Sequence, residues 1–432
     1  MGATRPTAAG SLAGAVAVAV AVVVAVTGAG VLGLGPLGAV GAARADSIRD
    51  MEYWLSDYGY RAAWDTTRGA GATVAVIDTG VDGSVPELQG AVVDGTDVSG
   101  IGSPDGQKPV GESSEHGTMV ASLIAGRGTG AGSGVIGVAP EASLLTVSVA
   151  LGAGSVDSDE QIAHAVRWAV DHGADVINMS LTRNSLDWPQ SWDDAFSYAF
   201  DHDVVVVAAA GNRGSGTTEV GAPATIPGVV AVAGVDTAGD ASFDASSQGI
   251  TIAVAAPSEQ LVGVVPGGGY VLWDGTSGAA PLVSGLAALV KSAHPELDAN
   301  NVINRIIATA QPKGDPVPGP IYGYGLVDAG AAVTASVDPV ASNPMGDLAA
   351  WIATYRPAST GGSLDTLVIP APSPAPAASG PDTDAGGRGP DRPSVYTLIH
   401  WAVPLGLLLG FLILMATFAL GAVSHFKGLL RK

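Results

Sequence analysis

The sequence contains the octapeptide Thr73-Val74-Ala75-Val76-Ile77-Asp78-Thr79-Gly80, an apolar run that ends in a carboxylate and a turn signal. A short run of this kind, rich in β-branched residues and bounded by glycine, predicts a buried strand. Apolar runs and amphipathic stretches alternate along the chain, which predicts an α/β domain with a mainly parallel sheet flanked by helices. The predicted strands cover residues 73–77, 143–149, 175–179 and 204–207, and the predicted helices cover residues 159–171, 192–200 and 280–292.

Two further motifs supply the other groups of a nucleophilic triad. His116-Gly117-Thr118 opens a predicted helix, and Gly275-Thr276-Ser277-Gly278-Ala279-Ala280-Pro281 places Ser277 at a turn that enters another helix. A serine hydroxyl becomes a good nucleophile when an imidazole takes its proton and a carboxylate orients that imidazole. Taken singly, Asp-Thr-Gly is also an ordinary strand-to-turn junction, and His-Gly-Thr an ordinary helix start. Together, in this order and on these elements, they favour a catalytic triad of Asp78, His116 and Ser277.

The order Asp, His, Ser resembles that of the subtilisin-like serine proteases, and the resemblance runs over residues 64–333. The segment Ala208-Ala209-Ala210-Gly211-Asn212 is similar to the family segment that carries the oxyanion-hole asparagine. The resemblance implies a subtilisin-like three-layer fold and endopeptidase activity on protein or peptide substrates. It also implies that the Asn212 amide and the backbone N–H of Ser277 stabilise the oxyanion.

The same resemblance implies that an extended substrate lies between two backbone edges. One edge is predicted at Ser180, Leu181 and Thr182, with Gly211 in the pocket wall, and the other at the glycine-containing stretch around Gly154. The family usually has glycine where Thr182 stands. A branched side chain there predicts a narrow first pocket that accepts small or apolar residues.

Two neighbours of the triad depart from the family pattern. Gly278 follows Ser277 where a larger residue is usual, which predicts more backbone freedom at the helix start. Glu115 precedes His116 where a small residue is usual, and its carboxylate is expected to raise the pKa of the imidazole. Neither change removes a catalytic atom.

Composition excludes several other kinds of site. The chain of 432 residues has no cysteine, so it has no disulfide and no thiolate zinc site. A net charge of −21 argues against nucleic acid as a partner and favours a solvated acidic exterior over a specific cation-recruiting face. No cofactor is required. Subtilisin-like enzymes often bind calcium, so calcium stays open, but no ligand pattern is present and no ligands are assigned.

The two ends predict a membrane protein. Residues 1–45 have the charge, apolar run and small-residue cleavage pattern of a signal peptide, with an uncleaved anchor as the alternative. A peptidase domain with a short N-terminal extension is predicted over residues 46–337, and a Pro/Ala/Gly-rich tether over 338–398. Residues 399–423 predict a transmembrane helix, or alternatively a buried core helix, and 424–432 a basic cytoplasmic tail. The chain is therefore expected in the cell membrane as a single-pass protein, bound to lipid by this helix, with the catalytic domain extracytoplasmic and the C-terminus cytoplasmic.

This architecture resembles that of the mycosins, the membrane-anchored subtilases associated with type VII secretion. The resemblance implies a type VII secretion membrane complex as a partner and exported proteins as substrates. The alternative is a structural subunit that stabilises the complex with little or no required proteolysis. Whether the N-terminal extension blocks the cleft stays open.

Overall fold

The computed structural model describes residues 47–152, 155–216 and 218–356. A seven-stranded sheet forms the centre of this part of the chain, and every neighbouring pair of its strands is parallel. The strands are β1 (Thr73–Asp78), β2 (Val92–Asp97), β3 (Ser143–Ser148), β4 (Val176–Met179), β5 (Val205–Ala209), β6 (Val230–Val235) and β7 (Ile252–Pro257). A separate antiparallel hairpin pairs β8 (Leu261–Val264) with β9 (Tyr270–Trp273).

The strand order in the main sheet is β2-β3-β1-β4-β5-β6-β7. The first strand therefore lies between β3 and β4, and the chain builds outward from it in both directions. Ligand sites in open parallel sheets lie at the carboxyl ends of the strands where this order reverses. Asp78 ends β1, and Ser180 follows the last residue of β4. The topology thus brings two of the predicted site residues to one edge of the sheet.

Helices pack against the sheet and against each other. The longer ones are α3 (His116–Ala125), α4 (Ser158–Asp171), α5 (Gln190–Asp201), α6 (Thr276–Ala293), α7 (Ala299–Ala308) and α9 (Leu348–Tyr355), and the short ones are α1 (Trp54–Asp57), α2 (Tyr60–Ala63) and α8 (Ala329–Thr334). Helix α3 packs on α6, and α4 packs on α5, with contacts from both pairs to the strands. The predicted α/β fold with a parallel sheet flanked by helices is confirmed.

The chain on either side of the sheet region is part of the same folded unit. The extension carries Trp54 and Tyr60, both fully buried. At the other end, residues 338–356, which the sequence places in the tether, include helix α9 (Leu348–Tyr355), and its Leu348 is buried. The folded unit therefore continues past the predicted domain boundary at 337, because Leu348 and its neighbours supply apolar surface that the Pro-rich stretch lacks.

Several predicted segments lie outside the described residues. These are the signal peptide (1–45), the remainder of the tether (357–398), the transmembrane helix (399–423) and the basic tail (424–432). Within the described ranges, no helix is both long enough and apolar enough to span a bilayer.

Candidate active site

Asp78 and His116 are brought together by strand β1 and helix α3. Asp78 is the last residue of β1, and its side chain is 3% exposed. His116 is the first residue of α3, and its Nδ1 lies 2.9 Å and 3.0 Å from the two carboxylate oxygens of Asp78. The backbone N–H of Thr79 donates to the same carboxylate at 2.7 Å. Since Nδ1 faces the carboxylate, Nε2 is the ring nitrogen left for chemistry.

Ser277 lies in the first turn of α6, held against the loop that follows β4. Its hydroxyl donates to the Ser180 carbonyl oxygen at 3.1 Å, and the Ser180 hydroxyl donates back to the Ser277 carbonyl oxygen at 2.8 Å. The amide of Asn178 donates to the Ser180 hydroxyl at 3.0 Å. The Ser277 hydroxyl thus donates to backbone in this structure, so it must turn toward His116 before attack.

The Asn212 amide is oriented by the residue before Ser277. Both the N–H and the hydroxyl of Thr276 donate to Asn212 Oδ1, each at 2.8 Å. Because the oxygen is occupied, Nδ2 is the donor available to a ligand. Gly275 has a φ of +143°, and a Cβ at this position would lie 2.9 Å from Asn212 Nδ2. Glycine is therefore required by both the backbone conformation and the close approach of the amide.

An open cleft of about 450 Å³ lies beside the Asp78–His116 pair. Asp78 and His116 line it together with the predicted substrate residues Ser180 and Leu181. Thr182 lines a neighbouring pocket, which also contains Leu181.

Two further residues are predicted to bind substrate, Gly211 and Gly154. The Gly211 N–H donates to the Thr276 hydroxyl at 3.1 Å, and its carbonyl accepts from Ser247 at 2.7 Å. Both backbone groups of Gly211 therefore hold the loop around Asn212, and its place in the pocket wall stays a prediction. Gly154 lies outside the described residues.

The electrostatics of the site act mainly on His116. Burial alone lowers the pKa of this imidazole, but the charge and hydrogen bonds of Asp78, and then the charge of Glu115, outweigh burial, so the pKa of His116 is raised. The predicted direction of the Glu115 effect agrees, although Asp78 contributes more. Trp273 packs edge-on against the imidazole, with ring centroids 5.7 Å apart. Because its pKa is raised, the imidazole is protonated, and no longer able to act as a base, at a higher pH than an isolated histidine as the pH falls.

Gly278 has a steric explanation. The sequence attributes it to backbone freedom, but its φ is not among the positive values, and a Cβ here would lie 2.2 Å from Leu261 Cδ1. The helix start is packed directly on strand β8. A side chain at this position would require Leu261 to move.

The N-terminal extension does not line the cleft. No residue between 47 and 64 is among its lining residues. Instead, Tyr53 donates to the Glu259 carbonyl oxygen at 2.9 Å, Tyr60 to that of Leu282 at 3.0 Å, and Trp64 to that of Val138 at 2.7 Å. The described part of the extension is tied into the body of the domain.

No set of three or more His, Asp or Glu side chains within residues 47–152, 155–216 and 218–356 is arranged to hold a metal ion. The question of calcium stays as the sequence leaves it.

Thr276, Trp273 and Val110 were not predicted as site residues, although they orient Asn212, contact His116 and line the cleft, respectively. Thr276 could have been found, since it stands within the Ser277 motif. The other two carry no motif of their own.

The chain is similar to known proteins over much of the described region. The profile of the subtilase family matches residues 69–325. The chain is 38% identical to subtilisin E of Bacillus subtilis over 269 residues, 61% of this chain and 66% of that protein. It therefore spans a little less than two thirds of that relative.

Solved structures give a second comparison. The MycP3 protease from the type VII (ESX-3) secretion system is 35% identical, with a TM-score of 0.56 over 66% of this chain and 88% of that one. MycP1 from Mycobacterium smegmatis is 30% identical, with a TM-score of 0.56 over 66% of this chain and 85% of that one. The predicted resemblance to the mycosins is confirmed.

Proposed function

This chain belongs to the subtilase family, and on that premise we propose that it is a membrane-anchored, extracytoplasmic serine endopeptidase. The observation that carries the proposal is the contact of His116 Nδ1 with both carboxylate oxygens of Asp78, beside a peptide-sized cleft. A buried carboxylate in this position fixes the tautomer that leaves Nε2 unprotonated. Such an imidazole can take a proton from an adjacent hydroxyl.

The reaction would begin with rotation of the Ser277 hydroxyl from the Ser180 carbonyl toward His116. His116 then accepts the hydroxyl proton as Ser277 Oγ forms a bond to the carbonyl carbon of the substrate. The developing oxyanion is met by Asn212 Nδ2 and by the Ser277 N–H, which belongs to the unpaired amides of the first helical turn. His116 returns the proton to the leaving amine, and water releases the acyl group by the same steps.

A fluorophosphonate probe tests this assignment on the full chain in detergent micelles. The wild type should be labelled, and Ser277→Ala should not. Ser292→Ala is a matched control, since it removes another hydroxyl of helix α6, one that donates to the Ala70 carbonyl oxygen away from the cleft. Labelling that survives Ser277→Ala, or a folded wild type that never reacts, would contradict the proposal.

We also propose that the substrates are exported proteins of a type VII secretion system. The similarity to MycP3, described as a protease of the type VII (ESX-3) secretion system, supports this context. The alternative, a structural subunit of the secretion complex, is separated from it by secretion assays. A Ser277→Ala strain that exports as well as the wild type favours the structural role, and one that fails as a deletion strain does favours proteolysis.

A further inference from the structure

A second pocket adjoins the cleft and shares two of its walls. It has a volume of about 270 Å³, and both Leu151 and Leu181 line it as well as the cleft. Its remaining walls include Thr182, Arg183 and Trp192. An extended peptide that lies along Leu181 therefore passes the mouth of a pocket with apolar walls. On the proposed function, this pocket receives a side chain of the substrate.

The outer wall of the pocket is a small network around Trp192. Its indole N–H donates to the Asp159 carbonyl oxygen at 2.9 Å. The Arg183 guanidinium is ion-paired with the Asp159 carboxylate and lies 5.5 Å from the centre of the Trp192 ring. Trp192, Asp159 and Arg183 therefore form one network of contacts along this wall of the pocket.

Helix α5 carries Trp192, and its first turn is fixed by the next residue, Asp193. This carboxylate is 4% exposed. It accepts a hydrogen bond from the Trp188 indole at 2.7 Å, and its other oxygen lies 2.7 Å from Nε of Arg356. A buried carboxylate is strongly destabilising without a counter-charge. Asp193 therefore depends on an arginine 163 residues further along the chain.

Arg356 is itself held by the C-terminal segment, which we define as residues 347–356. A terminal nitrogen of its guanidinium donates to the Trp188 carbonyl oxygen at 2.8 Å. The guanidinium packs 5.4 Å from the ring of Trp351, and Trp351 packs 4.4 Å from the ring of Trp188. This segment lies beyond residues 69–325, the part of the chain that matches the subtilase family.

We propose that Arg356 is a positioning residue for substrate selection. It neutralises Asp193 and fixes Trp188, so that Trp192 stands where it shapes the pocket beside the cleft. The pocket's selectivity thereby depends on the C-terminal segment, which lies within the stretch predicted as a tether.

Peptide binding to the full chain in detergent tests the proposal in a Ser277→Ala background, where no cleavage occurs. The probes are fluorescent alanine hexapeptides with a single leucine at each successive position. One position should bind best, because its leucine enters the pocket. Arg356→Ala should weaken the binding of that peptide by about tenfold and the binding of the all-alanine peptide by less than about twofold, because only a contact in the pocket is lost. Arg356→Lys, which keeps the charge, should restore part of the preference.

Arg68→Ala is the matched control, because Arg68 also pairs with a carboxylate (Glu141, 3.1 Å) and packs on a tryptophan (Trp64, 4.6 Å), away from both pockets. It should leave the leucine preference unchanged. If Arg356→Ala does not fold, Trp351→Ala retains the ion pair and should reduce the preference in the same direction.

Three results would overturn the proposal. They are an unchanged preference in Arg356→Ala, an equal loss for both peptides, and a parent chain that shows no leucine preference at any position. Failure of the proposed function is seen separately, as absence of fluorophosphonate labelling in the chain with Ser277 intact.

Discussion

Replacing Gly278 with alanine tests the steric account of the helix that carries the nucleophile. The new methyl carbon would lie 2.2 Å from Leu261 Cδ1 and 3.4 Å from the Trp273 ring. Ordinary contact begins at about 3.4 Å, so the leucine methyl must retreat by roughly 1.2 Å, into a core where Leu261 is fully buried. Overpacking of this kind costs about 1–3 kcal/mol.

The cost should be visible as a lower melting temperature. A domain of this size loses about 2–4 °C for each kcal/mol of stability, so Gly278→Ala should melt about 2–12 °C below the wild type. Leu261→Ala alone leaves a cavity and should cost about 2–5 kcal/mol. In the double variant the new methyl enters the space that the leucine leaves. Its loss should therefore be smaller than the sum of the two single losses by at least about 1 kcal/mol.

Denaturant titration of the four proteins provides the double-mutant cycle. Losses that add within about 0.5 kcal/mol would refute the steric account, because uncoupled residues behave in that way. So would a Gly278→Ala variant as stable as the wild type. Either outcome would return Gly278 to the role that the sequence suggests, backbone freedom at the helix start.

Three further predictions concern single carboxylates and the oxyanion donor. Glu115→Gln removes a negative charge that raises the pKa of His116, so the acidic limb of kcat/KM should move to lower pH at low salt and less at high salt. Burial raises the pKa of Glu52 to about 8, above its value in the unfolded chain. The folded state then holds the extra proton, so the Glu52 contribution to stability should fall as pH rises from about 5 to about 8, and Glu52→Gln should lose that contribution in pH-dependent melts. Asn212→Ala should lower kcat by about 10²–10³, the loss known for this donor in subtilisin, with little change in KM; a wild-type kcat would exclude Asn212 from the oxyanion site.

The sequence predicts the centre of the sheet better than its edge. Strands β1, β3, β4 and β5 fall within two residues of their predicted bounds, because each is a short apolar run bounded by polar or turn residues. Strands β6 and β7 were not predicted. Their residues are buried throughout, as those of β4 and β5 are, and short apolar runs of this kind do not by themselves distinguish a strand from a buried helix. Strands β1 and β5 are easier to recognise because the Asp78 and Asn212 motifs lie at their carboxyl ends.

The site shows the same division between local and distant information. Asp78, His116 and Ser277 stand in motifs that can be recognised from a few neighbouring residues. The contacts that orient them, such as the bond from Ser277 to the Ser180 carbonyl, join segments about 100 residues apart in sequence. Arg356 has no motif at all. Such contacts depend on how the chain folds, and the spacing of residues along the sequence does not indicate them.

The N-terminal extension is bonded to segments that are synthesised late. Tyr60 bonds to the backbone of Leu282, and the Ala329 N–H donates to the Tyr58 carbonyl oxygen at 2.9 Å. During synthesis from the N-terminus, Asp78 and His116 are made early, Ser277 is made late, and residue 329 later still. A nascent chain therefore has no assembled catalytic centre over most of its synthesis. This delay would limit premature cleavage of the proteins around it.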